Sequence, residues 1–160
     1  MSDSEPSPRG LNFEIRPVAH LDVHDMRREL LRPDADAADS MAFDHDEDAT
    51  TLHVATFVFD VMCGIATVHQ EPPPWDATIE SAWRLRGMAT SAGVRRRGVG
   101  TWMLATCMQH AWEQGGTLLW CNARVEASDF YRVLGFEPRG DRFIIDGVGE
   151  HIVMWRELSV

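Results

Sequence analysis

Apolar and polar positions along this chain form short alternating runs broken by turn residues, with three stretches that switch to a helical period. Phe13–Val18 (FEIRPV) alternates like a short strand. Residues 21–32 put Leu21, Met26, Leu30 and Leu31 on one helical face, and Pro33 ends that segment because its ring cannot continue a helix. Residues 51–60 and 61–70 are apolar, β-branched runs that abut almost without a linker, which predicts two strands and a tight hairpin near Asp60. Residues 81–90 set Trp83, Leu85 and Gly87 against Arg84, Arg86 and Met88, a further strand. Residues 99–114 are amphipathic and stop at Gly115 and Gly116. TLLWCNA (117–123) reads as a buried strand, and residues 126–134 as a short helix with Gly135 just past its end. Residues 141–158 read as two strands around Asp146 and Gly147.

The order β-α, β-β-β, α, β, α, β-β predicts an α/β (α+β) mixed sheet with helices on its faces. No repeat or second domain is visible, so residues 11–160 are expected to form one domain. Residues 1–10 are expected to be a disordered, polar and acidic tail.

Composition narrows the function. The chain has 160 residues and a formal net charge of −10, and all 15 of its basic residues are arginine. That charge argues against non-specific binding to nucleic acid or an anionic membrane and favours, weakly, a cationic small substrate. No apolar run reaches membrane-spanning length, and MSDSEPSPRG lacks the apolar core of a signal peptide. Cys63, Cys107 and Cys121 are odd in number, sit in apolar segments and form no CxxC pair. They read as buried free thiols in a reducing, cytoplasmic compartment. His45 lies among acids in FDHDEDA, where a solvated loop is the more frequent meaning, so no metal is expected.

The informative stretch is residues 88–101, MATSAGVRRRGVGT. Arg95, Gly98 and Gly100 stand at the spacing R-x-x-G-x-G, and a helical pattern follows at once. Glycines at such a turn let backbone approach a ligand closely, and the helix directs its free N–H groups and positive dipole end at it. That combination suits a diphosphate. A solvated arginine cluster would leave the glycine spacing to coincidence. The Lys-Ser/Thr of a P-loop is missing, and no acidic residue follows where a dinucleotide ribose would need one.

A second segment, Phe130-Tyr131-Arg132-Val133-Leu134-Gly135-Phe136, completes a resemblance. With the R-x-x-G-x-G loop and the strands between, the chain resembles the GNAT superfamily of N-acetyltransferases over residues 13–158, most strongly from 85 to 136. LRGMA, LWCNAR and the G-x-H-x-V-M-like ending resemble a bacterial subgroup with no firm substrate. The resemblance implies a mostly antiparallel sheet of about six to seven strands, an ordinary size, with the fourth and fifth strands splayed and helices on both faces. It implies acetyl-CoA as co-substrate. Arg95, Arg96, Arg97, Gly98, Val99, Gly100 and Thr101 would hold the pyrophosphate, while Met88, Ala89 and Thr90 would pair with the pantetheine. Ala92 and Arg96 replace a common proline and glycine without removing a backbone donor. Arg124 stands seven residues before Tyr131, where many members carry asparagine. Either Arg124 or the nearby Asn122 would take over that contact. Members often form homodimers.

Acetyl transfer needs a deprotonated amine, a polarised thioester carbonyl and a stabilised leaving thiolate. Tyr131 is the candidate acid: Phe130, Val133 and Leu134 are expected to face the core, leaving Tyr131 toward the groove. A backbone N–H near Met88 or Ala89 would polarise the carbonyl. The base stays open between Glu80, acting through water, and His151 beside Glu150, with His69 and Glu71 as weaker candidates. A lone strand histidine is more often structural, and proximity alone contributes much of the rate. Residues 34–48 and 71–80 are acidic and carry Phe43 and Trp75, which predicts a small cation with apolar surface, such as a polyamine, amino sugar or aralkylamine. The function expected is direct acetyl transfer within a ternary complex. The competing reading is a non-catalytic acyl-CoA-binding module, against which the intact Tyr131 argues.

Overall fold

Seven strands join in one sheet: β1 (Phe13–Val18), β2 (Leu52–Val58), β3 (Val61–Gln70), β4 (Ala82–Thr90), β5 (Leu118–Arg124), β6 (Glu137–Ile145) and β7 (Gly149–Glu157). Their spatial order is β1-β2-β3-β4-β5-β7-β6, antiparallel throughout except for β4 with β5. This computed structural model describes residues 12–159, so the tail expected over 1–10 lies outside the described residues. Three helices cover the faces: α1 (His24–Leu31), α2 (Val99–Glu113) and α3 (Ser128–Val133).

The main core lies under α2. This helix buries Val99, Met103, Leu104, Cys107 and Ala111 against Trp83, Leu85, Leu119 and Met154. Each large apolar side chain removed from water contributes about 1.5–3 kcal/mol. On the opposite face, α1 packs Met26 with Val23, Ala55 and Ile65. The helical face read from the sequence differs here: Leu21 is 66% exposed, whereas Arg27 is fully buried. Arg27 turns inward because Asp46, the Met41 carbonyl and Thr67 together accept its hydrogen bonds. Those bonds tie the acidic segment 34–48 onto the sheet as turns rather than helix.

Local backbone chemistry explains the turns. Val58 pairs with Val61, leaving Phe59 and Asp60 as a two-residue loop with φ of 48° and 64°. Both angles are positive, as in the primed turns whose twist matches a hairpin. The β6–β7 hairpin turns through Asp146, Gly147 and Val148, and β6 begins at Glu137, earlier than the pattern predicted.

Two features of β4 shape everything that follows. First, β4 and β5 pair only at Ala82–Leu118, Trp83–Leu119 and Arg84–Trp120, then share no further ladder pair. Second, Ile65 pairs with Ala89 while Thr67 pairs with Arg86, so Gly87 and Met88 both oppose Ala66. This bulge interrupts the alternation expected for the strand. Leu85 and Met88 fall on the α2 side, and Ala89 joins the α1 side. Gly87 takes φ of +64°, which a side chain would strain.

Candidate active site

Where β4 and β5 diverge, two cavities open. One, of about 420 Å³, is lined by the far halves of both strands, the end of α1, Phe43, Tyr131 and His151. The other, of about 440 Å³, is lined by the segment leading into α2 and by Phe130. They share Met88, Ala89, Thr90 and Arg95. The β5-facing backbone of β4 has no ladder partner along this shared wall.

The second cavity has the features of a phosphate cradle. Gly98, the residue before α2, has φ of +88°, a conformation that favours glycine. No side chain caps the helix, and the first backbone hydrogen bond back to Gly98 comes from Trp102. The N–H groups of Val99, Gly100 and Thr101 therefore have no acceptor within the helix. Arg95, Arg96, Gly98, Val99, Gly100 and Thr101 line this cavity with Met88, Ala89 and Thr90. Arg97 lines neither cavity, and Asn122 and Arg124 line the first rather than the second. The residues present fit the diphosphate and pantetheine of a coenzyme A thioester.

A family model described as Acetyltransferase (GNAT) family matches residues 17–136. The chain belongs to that family. Among its relatives, the uncharacterized N-acetyltransferase YitI of Bacillus subtilis is 31% identical over 146 residues, covering 91% of this chain and 97% of the relative. ElaA of Escherichia coli superposes with a TM-score of 0.71 at 18% identity, over 91% of this chain and all of that one. An aminoglycoside 6′-N-acetyltransferase, solved in complex with coenzyme A, superposes with a TM-score of 0.70 at 15% identity, over 92% and 98% of the two chains. At these identities the two structures show the shared GNAT fold.

In this GNAT chain Tyr131 is 7% exposed and lines the first cavity. Its ring packs edge-on against Phe130 at 5.1 Å and Phe136 at 5.4 Å. Cys121 lines the same cavity as Tyr131. Burial first, then the neighbouring thiol, pushes the phenol well above its ordinary value. Burial pushes Cys121 up to about 12, so it stays a neutral thiol. Val133, expected to face the core, is 85% exposed, and Tyr131 itself belongs to the core cluster.

The two candidate bases separate. His151 is buried, lines the first cavity and stacks on Phe143 at 5.8 Å. Its Nδ1 donates to the Gly149 carbonyl at 2.8 Å. A carbonyl can only accept, so the neutral ring keeps its lone pair on Nε2. Glu80 is exposed and precedes the paired end of β4. That strand rises about 3.3 Å per residue, so its start lies roughly 20 Å from Met88. Glu80 lines neither cavity. His69 stacks on His45 at 4.9 Å, and Glu71 pairs with Arg84 at 2.9 Å, both outside the cavity lining.

At the acceptor end the lining carries charge of the opposite sign to the acidic loops. Arg32, Arg84, Arg86, Arg95 and Arg124 line the first cavity, and among the described residues no aspartate or glutamate does. Within the acidic segment the buried carboxylate, Asp46, is paired with Arg27. Trp75 packs on Trp155 at 5.8 Å, away from the cavity, while Phe43 does reach it. The sequence reading missed Arg84 and Arg86. Their signal was two arginines spaced by one residue on an otherwise apolar strand.

Proposed function

We propose that this protein transfers the acetyl group of acetyl-CoA directly to the amine of a small acceptor held in the first cavity. The observation that carries this reading is the meeting of two cavities along Met88–Thr90, where β4 has lost its β5 partner. Acetyl-CoA, when bound, supplies the acetyl group as an activated thioester. Val99, Gly100 and Thr101 N–H groups, with Arg95 and Arg96, bind its diphosphate, and the free edge of β4 aligns its pantetheine as an added strand would.

The chain's own groups then divide the work. A β4 backbone N–H at the bulge donates to the carbonyl oxygen as it gains charge. His151 takes the ammonium proton on Nε2, directly or through water. Tyr131, protonated across the neutral range, gives a proton to the departing sulfur as the C–S bond breaks, and regains one through water from the nitrogen, which sheds its second proton as the amide forms. A cytoplasmic setting agrees with three buried, unpaired cysteines, and among the described residues no helix is long and apolar enough to cross a membrane.

Calorimetry with coenzyme A, followed by thiol release from acetyl-CoA across an amine panel, tests the reading. Gly100→Glu, which puts a carboxylate at the cradle, should abolish binding with an unchanged circular dichroism spectrum. Normal binding by that variant would move the cofactor elsewhere. Tight binding without transfer to any amine would return the non-catalytic module.

A further inference from the structure

The acceptor half of the first cavity carries more positive charge than the chain neutralises. Arg84 and Arg86 stand two residues apart on β4, on the face covered by α1 and residues 34–48. Arg84 pairs with Glu71 at 2.9 Å and lies over Trp120, yet its Nε is buried without a hydrogen-bond partner. Arg86 has no ion pair and no hydrogen bond among the described residues. Its guanidinium lies 4.1 Å from the centre of the Phe43 ring, which Arg27 approaches at 3.8 Å. Glu71 is spent on Arg84, and Asp46 on Arg27. Glu71 and then Asp44 act on Arg86 through their charge, without an ion pair to it.

Arg86 is half-buried, a guanidinium loses stability as it leaves water without a counter-ion, and a protein of net charge −10 has carboxylates to spare. That none lines this cavity suggests a counter-ion brought by the ligand. The diphosphate is not that counter-ion, because its cradle is the other cavity, past Thr90, whereas Arg86 precedes Met88 on the same strand. A guanidinium presents a planar fork of donors that matches a carboxylate. Phe43 lies against it, and Leu30, Leu31, Ile145 and Val148 line the same cavity.

We propose that Arg86 binds a carboxylate on the acceptor, so that the acceptor is an amino acid with an apolar side chain. This rests on the first cavity being the acceptor site of the proposed acetyl transfer. The α-amine then lies between that carboxylate anchor and the bulge at Gly87 and Met88.

Matched amines test it: leucine and phenylalanine against 3-methylbutylamine and 2-phenylethylamine, which lack only the carboxylate. Thiol release should give the amino acids a kcat/KM roughly 10–100-fold higher, the range expected for a charged hydrogen-bonding partner. In Arg86→Met that ratio should collapse toward one, and in Arg86→Lys part of it should survive, since charge remains without the fork. A ratio at or below one in the native protein, or one unchanged in Arg86→Met, overturns the proposal. A second arm does not need turnover. The leucine skeleton without its amine, 4-methylpentanoate, is titrated into the coenzyme A complex. Saturable binding that Arg86→Met loses supports the carboxylate site even where no amine is acetylated, a result that would sink only the acetyl-transfer reading. Absence of binding to the native complex overturns the carboxylate site.

Discussion

Arg27 holds Asp46 through both terminal nitrogens, Nη1 to Oδ2 at 2.7 Å and Nη2 to Oδ1 at 2.9 Å, where both side chains are buried. Burial alone would raise the Asp46 carboxyl. The Arg27 bond, the Phe43 N–H bond and the Arg27 charge outweigh it and hold the group below its ordinary value. Removing one partner of a buried pair leaves the other uncompensated, at about 3–5 kcal/mol. Asp46→Asn should therefore lower the melting temperature by roughly 6–20 °C for a domain of this size. Phe43 rests on Arg27, so the acceptor KM should rise as well. Scanning calorimetry checks the first effect; an unchanged melting temperature would mean the pair contributes nothing net.

Tyr131→Phe should keep the affinity for coenzyme A, because the ring still packs between Phe130 and Phe136. Turnover should fall by about 10²–10⁴-fold, the usual contribution of a positioned acid. The phenol is held well above its ordinary value of about 10, so it stays protonated up to that pH. The native rate should accordingly show no descending limb from this group below pH 10. Equal single-turnover rates for the two proteins would remove Tyr131 from the mechanism.

His69 predicts an acid-labile fold. It is fully buried, its Nε2 has no partner, and burial lowers its pKa to about 4. In the unfolded chain the ring titrates near 6.5, so that state takes up the proton first. The associated stability is complete above pH 6.5 and drains away as pH falls toward 4, about 3 kcal/mol in all. His53, also lowered by burial, acts in the same sense. Urea midpoints of His69→Phe should fall less steeply between pH 6.5 and 4 than those of the native protein; parallel curves would refute the assignment.

Gly87→Ala should strike the acceptor side selectively. The residue sits at φ of +64°, and a Cβ there would come within 2.9 Å of the Phe43 ring. The left-handed conformation alone costs an L-residue roughly 1–2 kcal/mol. Phe43 must shift, so the acceptor KM should change more than the acetyl-CoA KM. Equal shifts in both would show that Gly87 serves the cofactor strand instead.

What the sequence determined by itself was local. Gly98 and Gly100 before a helical run, Tyr131 within FYRVLGF, and the seven strands were legible because backbone conformation, helix starts and strand faces depend on neighbouring residues. The tertiary structure decided everything that rests on distant pairing. Arg27 is buried because Asp46, nineteen positions on, meets it inside. One extra residue at Gly87 and Met88 changed which side of β4 faces which cavity, and no periodicity announces a bulge. Glu80 is nearer to Met88 in the chain than His151, yet β4 carries it away while the β5–β7 ladder sets His151 opposite Arg124 at the cavity wall. The net charge summed over all residues pointed to a cationic acceptor. The lining of the first cavity carries the opposite sign, because folding pairs Asp46 with Arg27 and Glu71 with Arg84 and leaves Arg86 of β4 facing the open space.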